Sequence, residues 1–198
     1  MFSLLKIAFT FFLVANPIGN SPAIIALIKD FDFERQKKIM LRESLLALFL
    51  ALFFQYLGEL FLSQLSIDIY TLRISGGVLL LLVSLSMIFS PSADTSQASL
   101  KREPLFVPIA TPLITGPALL TIIMVTTQQE GSHLKVSLAI CLTWIGVTLS
   151  LLAAPYLNRL LRKRGMAALE QLMGLFLTMM AVSMIVNGLA QFIQSYKN

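Results

Sequence analysis

A chain of 198 residues that is 57% hydrophobic and 13% charged carries about half the charge of a soluble domain, where roughly a quarter of residues are charged. A soluble fold of this size could not hide so much apolar surface, so the composition excludes one and requires lipid around the chain. The net charge of +5 does not argue for nucleic acid, because in a membrane protein the placement of cations matters more than their sum.

Six apolar segments follow one another, at about 2–28, 42–63, 71–90, 105–127, 134–156 and 168–194. Each approaches the ~20 residues that a helix needs to cross the hydrocarbon core. An open sheet would leave its edges unsatisfied in lipid, and no run of alternating ten-residue strands suggests a barrel, so all six are predicted to be helices. The first could be mistaken for a signal peptide, with Lys6 ahead of the run Ile7 to Ala15. Leu13 is a poor cleavage signal, however, and the segment is read as an uncleaved membrane helix.

This first segment contains Ala15-Asn16-Pro17-Ile18-Gly19-Asn20-Ser21-Pro22-Ala23. Each proline removes a backbone N–H and crowds the carbonyl four residues earlier, so the pair breaks the helix. The second segment carries Gln55 and Glu59 one turn apart on one face. Glu59 lies ~25 Å along the helix from Arg42, which reads as a solvated helix end at the interface rather than a proton carrier. The third segment opens with Arg73-Ile74-Ser75-Gly76-Gly77, where Arg73 can snorkel to the membrane surface. Residues 91–104 form the one Ser-rich polar stretch and read as a linker.

In the fourth segment the broken motif returns 95 positions later as Ala110-Thr111-Pro112-Leu113-Ile114-Thr115-Gly116-Pro117-Ala118. The fifth holds the single cysteine, Cys141, read as a buried small hydrophobe, and the stripe Gly146, Ser150 and Ala154, which suits close helix packing. His133, in the loop before it, is assigned no role. The sixth opens with Glu170-Gln171-Leu172-Met173-Gly174, a fainter echo of the third.

These observations predict an all-α integral membrane fold of six transmembrane helices, its first and fourth broken at Pro/Gly motifs. Residues 1–90 form one three-helix repeat, 91–104 a cytoplasmic linker and 105–198 the second repeat. An odd number of helices per repeat makes the two halves opposite in orientation. Eleven Lys and Arg fall on one face, in the loops after helices one and five and in the linker, against Lys6, Arg73, Lys135 and Lys197 on the other. That asymmetry predicts both termini outside.

A helix that restarts after a break aims free N–H groups and the positive end of its dipole into the membrane, where they suit a carboxylate. The freed carbonyls suit an ammonium group or a cation. Around them stand Asn16, Pro17, Gly19, Asn20 and Ser21 in one copy and Thr111, Pro112, Thr115 and Gly116 in the other. Gly19 and Gly116 allow backbone conformations closed to other residues. The polar side chains are all uncharged hydrogen-bonders, which favours a neutral or zwitterionic solute; alternatively they are helix caps and interhelical bonds.

One His and one Cys cannot build a metal site, no serine is paired with a plausible base, and there is no phosphate-binding glycine loop. The expectation is a protein that is not an enzyme, without metal or other cofactor. Its partners are a small-molecule solute and the lipid bilayer; a coupling ion and a homo-oligomer are both compatible with the sequence.

The two motifs, with Arg73-Ile74-Ser75-Gly76-Gly77 and Asn187-Gly188, resemble the MarC family of six-helix bacterial inner-membrane proteins over about residues 2–194. The resemblance implies a plan similar to the LysE group of amino-acid exporters and a place in the bacterial inner membrane. It also implies transport of small neutral amino acids such as glycine and alanine, and it supplies no agreed catalytic residues. The leading expectation is a secondary transporter of a small neutral amino acid or similar solute, with a midplane site at the two breaks and alternating access. The alternatives are an exporter of drugs or other metabolites and a non-transporting membrane subunit.

Overall fold

The computed structural model describes residues 3–28, 31–89 and 114–197. Among these residues the chain forms six helices and no strand: α1 Leu4–Ala15, α2 Ser21–Ile28, α3 Phe33–Gln64, α4 Ile69–Phe89, α5 Pro117–Glu130 and α6 His133–Lys197. Among the described residues, four stretches are long and apolar enough to cross a bilayer, at Phe33–Gly58, Ile69–Phe89, His133–Leu157 and Arg164–Tyr196. The chain is therefore an all-helical membrane protein. With 12 and 14 residues, α1 and α5 reach only about 18–21 Å and cannot cross a ~30 Å core unaided.

Local chemistry sets the ends of these helices. Ser3 caps α1 by accepting the Lys6 N–H, and Asn16 ends it in the left-handed region at φ 46°, which Asn tolerates better than most residues. Asp32 caps α3 by accepting from the Arg35 N–H. Pro117 opens α5, where its missing N–H is harmless, and Gly131 closes it at φ 64°.

The longest element, α6, has 65 residues with Pro155 inside it and would reach ~97 Å if straight. It cannot be straight. Thr143 donates to the Ala8 carbonyl of α1, while Ser183 lines a cavity together with Thr10 of the same helix. Forty residues of straight helix would hold those two positions ~60 Å apart, so α6 turns back between its two apolar spans. The charged connection expected to be a loop keeps helical backbone at 157–167, because its Leu, Arg and Lys residues are strong helix formers.

Small residues set the packing distances. A methyl group at Gly76 would collide with the Thr121 side chain, and one at Gly58 would stand 2.7 Å from Met124 Cγ. Gly146 faces the Phe12 ring, as the small-residue stripe suggested. Gly77 of α4 lies against Ala181 and Ile185 of α6, and Gly174 of α6 lies against Ser84 and Ile88 of α4. Side-chain hydrogen bonds tie α3 to α6: the Trp144 indole donates to the Ser44 carbonyl at 2.8 Å, and Ser44 and Thr148 share a 2.6 Å bond.

One reading from sequence needs correction. Cys141 is exposed, on the same α6 face as the exposed Leu138 and Ile145, so it points to lipid; an apolar run does not reveal which of its faces is inward. Gln55, placed on one face with Glu59 in the sequence, turns inward to a neighbouring helix. It is 1% exposed and donates to the His133 carbonyl at 2.7 Å and to Ser137 at 2.9 Å, pinning the start of α6 to α3. The side chain of Glu59 lies outside the described residues. His133 stacks on Tyr56 at 5.5 Å between ring centroids.

Candidate functional site

The first broken motif is a turn at 17–20 between α1 and α2, and its polar side chains hold the turn together. The Gly19 N–H donates to Asn16 Oδ1 at 3.2 Å, and Asn16 Nδ2 donates to the Met87 sulfur of α4 at 3.3 Å. Asn20 Nδ2 donates to the Ala15 carbonyl at 3.3 Å. Proline at position 22 cannot supply the helical donor for the Ile18 carbonyl; Ser21 supplies two, from its hydroxyl at 2.6 Å and its N–H at 3.2 Å. A methyl at Gly19 would stand 2.7 Å from the Met87 methyl and closer still to the Asn16 amide, so only glycine fits. Pro17 is buried in this turn.

In the second motif Thr111 and Pro112 lie outside the described residues. Thr115 is buried and donates to the Ala47 carbonyl near the centre of α3 at 3.2 Å. Gly116 caps α5 with extended backbone at φ −65°, a conformation open to any residue, so glycine's special freedom is not used there.

A cavity of about 490 Å³ opens among α1, α4, α5 and the second span of α6. Lys6, Thr10, Arg73, Thr126, Gln129, Ser183 and Asn187 give it polar atoms, and Ile7, Phe11, Ile122, Val125, Met179, Met180 and Met184 give it an apolar wall. A second cavity of about 410 Å³ adjoins it, sharing Arg73 and Gln129 and adding Ile69, Gln128, Gln191 and Gln194. Residues from the start of α1 and the end of α6 share these walls, so the two chain ends lie at the same end of the bundle.

None of the motif residues Asn16, Pro17, Gly19, Asn20, Ser21, Thr115 and Gly116 lines this cavity. They stand next to it. Asn16 follows Phe11 by five residues and Gly116 precedes Ile122 by six, so each break lies about 8–9 Å of helix from a cavity-lining residue. Of the cavity's polar liners, Lys6, Arg73 and Asn187 drew notice in the sequence, though not as members of one site; Thr10, Thr126, Gln129 and Ser183 did not. Thr10, Thr126 and Ser183 are single hydroxyls in apolar runs with no local motif, and only the tertiary fold gathers them.

Among the described residues no group of His, Cys, Asp and Glu could hold a metal ion. The buried acid Glu43, with a side chain 2% exposed, receives two hydrogen bonds from Arg42, the shorter at 2.8 Å.

A family model described as MarC family integral membrane protein matches residues 1–193. The UPF0056 inner membrane protein YhgN of Escherichia coli strain K12 is 36% identical over 196 residues, which cover 98% of this chain and 100% of that protein. A UPF0056 membrane protein of Chlamydia trachomatis serovar D is 35% identical over 191 residues, 95% of this chain and 93% of its own. One from Buchnera aphidicola of Acyrthosiphon pisum is 34% identical over 178 residues, 89% and 91% of the two chains. These names state a membrane location and no substrate. No solved structure matches the chain.

Proposed function

The chain belongs to the MarC family of integral membrane proteins, and from that premise we propose that it is a secondary transporter of a small neutral amino acid or a similar small solute. The observation that carries the proposal is the cavity of about 490 Å³ walled by helices of both halves, α1 and α4 on one side and α5 and α6 on the other. Its volume falls in the range of small-molecule sites, and its mix of apolar wall and a few polar groups is theirs as well.

The two broken segments continue from its walls toward the opposite end of the bundle. In the proposal they form the midplane region through which the solute passes, with Asn16, Pro17, Gly19, Asn20 and Ser21 facing Thr111, Pro112, Thr115 and Gly116. The local hydrogen bonds of Asn16, Asn20, Ser21 and Thr115 are then those of the closed state, exchanged for the solute when the halves rock. Six crossings arranged as an inverted duplication belong to the same proposal. Support for it comes from the reciprocal packing of Gly77 and Gly174 and from the equal spacing of Ser86-Met87-Ile88 and Ser183-Met184-Ile185. A bacterial inner-membrane location, outward-facing termini, a coupling ion and the absence of catalytic chemistry are further parts of the same proposal.

Met179, Met180 and Met184 in the cavity wall favour a second reading, export of drugs or other metabolites, because flexible thioethers adapt to varied apolar shapes. Purified protein in liposomes, given labelled glycine or alanine under an imposed ion gradient, separates the two. Uptake above that of empty liposomes is expected; uptake equal to theirs, with the protein folded, would contradict the amino-acid reading.

A further inference from the structure

Positions 97 apart on α4 and on the second span of α6 match in burial along the contact of the two helices. Gly77 and Gly174 are both buried, Leu80 and Leu177 are each 2% exposed, and Ser84 and Ala181 each 0%. The next pair on that face is Met87 and Met184, and here the halves differ. Met87 is buried, its sulfur accepting from Asn16 Nδ2 at 3.3 Å and its methyl filling the space beside Gly19. Met184 is only partly buried and lines the cavity of about 490 Å³. One methionine closes a break while its counterpart borders open space. Residue type and spacing are the same at both positions, so the difference belongs to the state of each half rather than to its sequence.

The contact that holds Met87 is a weak one. A thioether sulfur is a poor hydrogen-bond acceptor, and a carboxylate oxygen would engage the same Asn16 N–H more strongly. Methionine also turns about three side-chain bonds, so it can withdraw without moving the backbone of α4. Met87 lies 14 residues beyond Arg73 on α4, about 21 Å further along the helix from the cavity at the chain ends.

Resting on the transport reading above, we infer that Met87 is the plug of a second solute recess, which opens at the first break toward the end of the bundle away from the termini. When Met87 withdraws, Asn16 Nδ2 donates to a carboxylate oxygen of the solute, and the room left by the thioether takes a short apolar side chain. Opposed repeats trade conformations as access alternates. Met184 then takes the place in the second half that Met87 holds in the first, and the cavity of about 490 Å³ closes. The two methionines are exposed in turn, never together.

Oxidation to the sulfoxide reads which of the two sulfurs is accessible. The full chain in membranes is treated with dilute hydrogen peroxide, and the rates at Met87 and Met184 are followed by peptide mass spectrometry. In the unaltered chain Met184 should oxidise the faster. Gly19→Ala places a methyl 2.7 Å from that of Met87 and should expel it. The Met87 rate should rise, the Met184 rate should fall, and their ratio should shift roughly tenfold or more. Met87 speeding up with Met184 unchanged would mean only a loosened turn and would overturn the inference, as would no change at either. Should Gly19→Ala fail to fold, a chain carrying Cys141→Ala, Asn16→Cys and Met87→Cys is bridged by a short bifunctional thiol reagent that reductant cleaves. Bridging should hold Met184 accessible and stop uptake of labelled alanine into liposomes until reductant is added. Met184 protected, or uptake continuing, would overturn the plug. Reciprocal oxidation without alanine uptake would keep the exchange of recesses and remove the amino acid. Alanine uptake with the two methionines responding independently would do the reverse.

Discussion

Gly77 and Gly174 pack reciprocally. A methyl at Gly77 would stand 3.1 Å from the Ala181 carbonyl oxygen and 2.7 Å from Ile185 Cγ1; one at Gly174 would stand 3.0 Å from the Ser84 carbonyl oxygen and 2.9 Å from Ile88 Cγ1. Ninety-seven positions separate Gly77 from Gly174, Ser84 from Ala181 and Ile88 from Ile185. Each helix therefore offers its partner the same three positions in return, as a two-fold contact requires. The helices α4 and α6 run antiparallel here, the arrangement expected of the third helices of two opposed repeats. Leucine at either glycine should cost about 1–3 kcal/mol through overpacking. The thermal midpoints of Gly77→Leu and Gly174→Leu in detergent should fall by similar amounts, and an unchanged midpoint in both would show that the interface gives way freely.

Asn16 holds the first break in two ways, by its left-handed backbone and by accepting the Gly19 N–H. Asn16→Gly keeps the first and removes the second, while Asn16→Leu removes both. Leaving the buried Gly19 N–H unpaired should cost about 1–3 kcal/mol, and the leucine variant should lose a further ~1–2 kcal/mol to backbone strain. Denaturation of the two variants checks the order; a leucine variant as stable as the glycine variant would mean that the turn relaxes out of its left-handed conformation.

Gln55→Leu should loosen the start of α6, because the His133 carbonyl and Ser137 both lose a buried donor. Side-chain hydrogen bonds between membrane helices are worth about 0.6–2 kcal/mol. Hydrogen exchange of the first turns of α6 should rise in this variant while that of α4 is unchanged. Equal protection in both proteins would contradict the clamp.

These residues also show what the sequence made legible. Pro17 and Pro22 mark the first break because proline's missing N–H acts locally, and Pro117 marks the start of α5 for the same reason. The cavity was not legible. In a helix that is apolar on every side, the faces toward lipid and toward protein look alike, so neither Thr10 and Ser183 inside nor Cys141 outside could be placed. The backbone carbonyl that engages Gln55 carries no sequence signature at all. Arg73 drew notice as a charge in an apolar run, but only the fold places it in the wall of the cavity.

The unequal placement of Lys and Arg predicts the topology. Reporter tags fused at either terminus should both be read outside the membrane, and one inserted within residues 92–99 inside. A cytoplasmic C-terminus would contradict six crossings and the opposed repeats with them.

The central claim, that a water-filled path between the halves passes the two broken segments, is tested most directly by thiol chemistry at the breaks. Cysteine is placed at Asn20 or Thr115 in protein carrying Cys141→Ala, and reaction with a small water-soluble reagent is measured in membranes under conditions that promote turnover. Reaction at both positions, slowed by the transported solute, is the predicted result. Complete protection of both, in protein that remains folded, would mean that these side chains only cap helices and that no solute passes them.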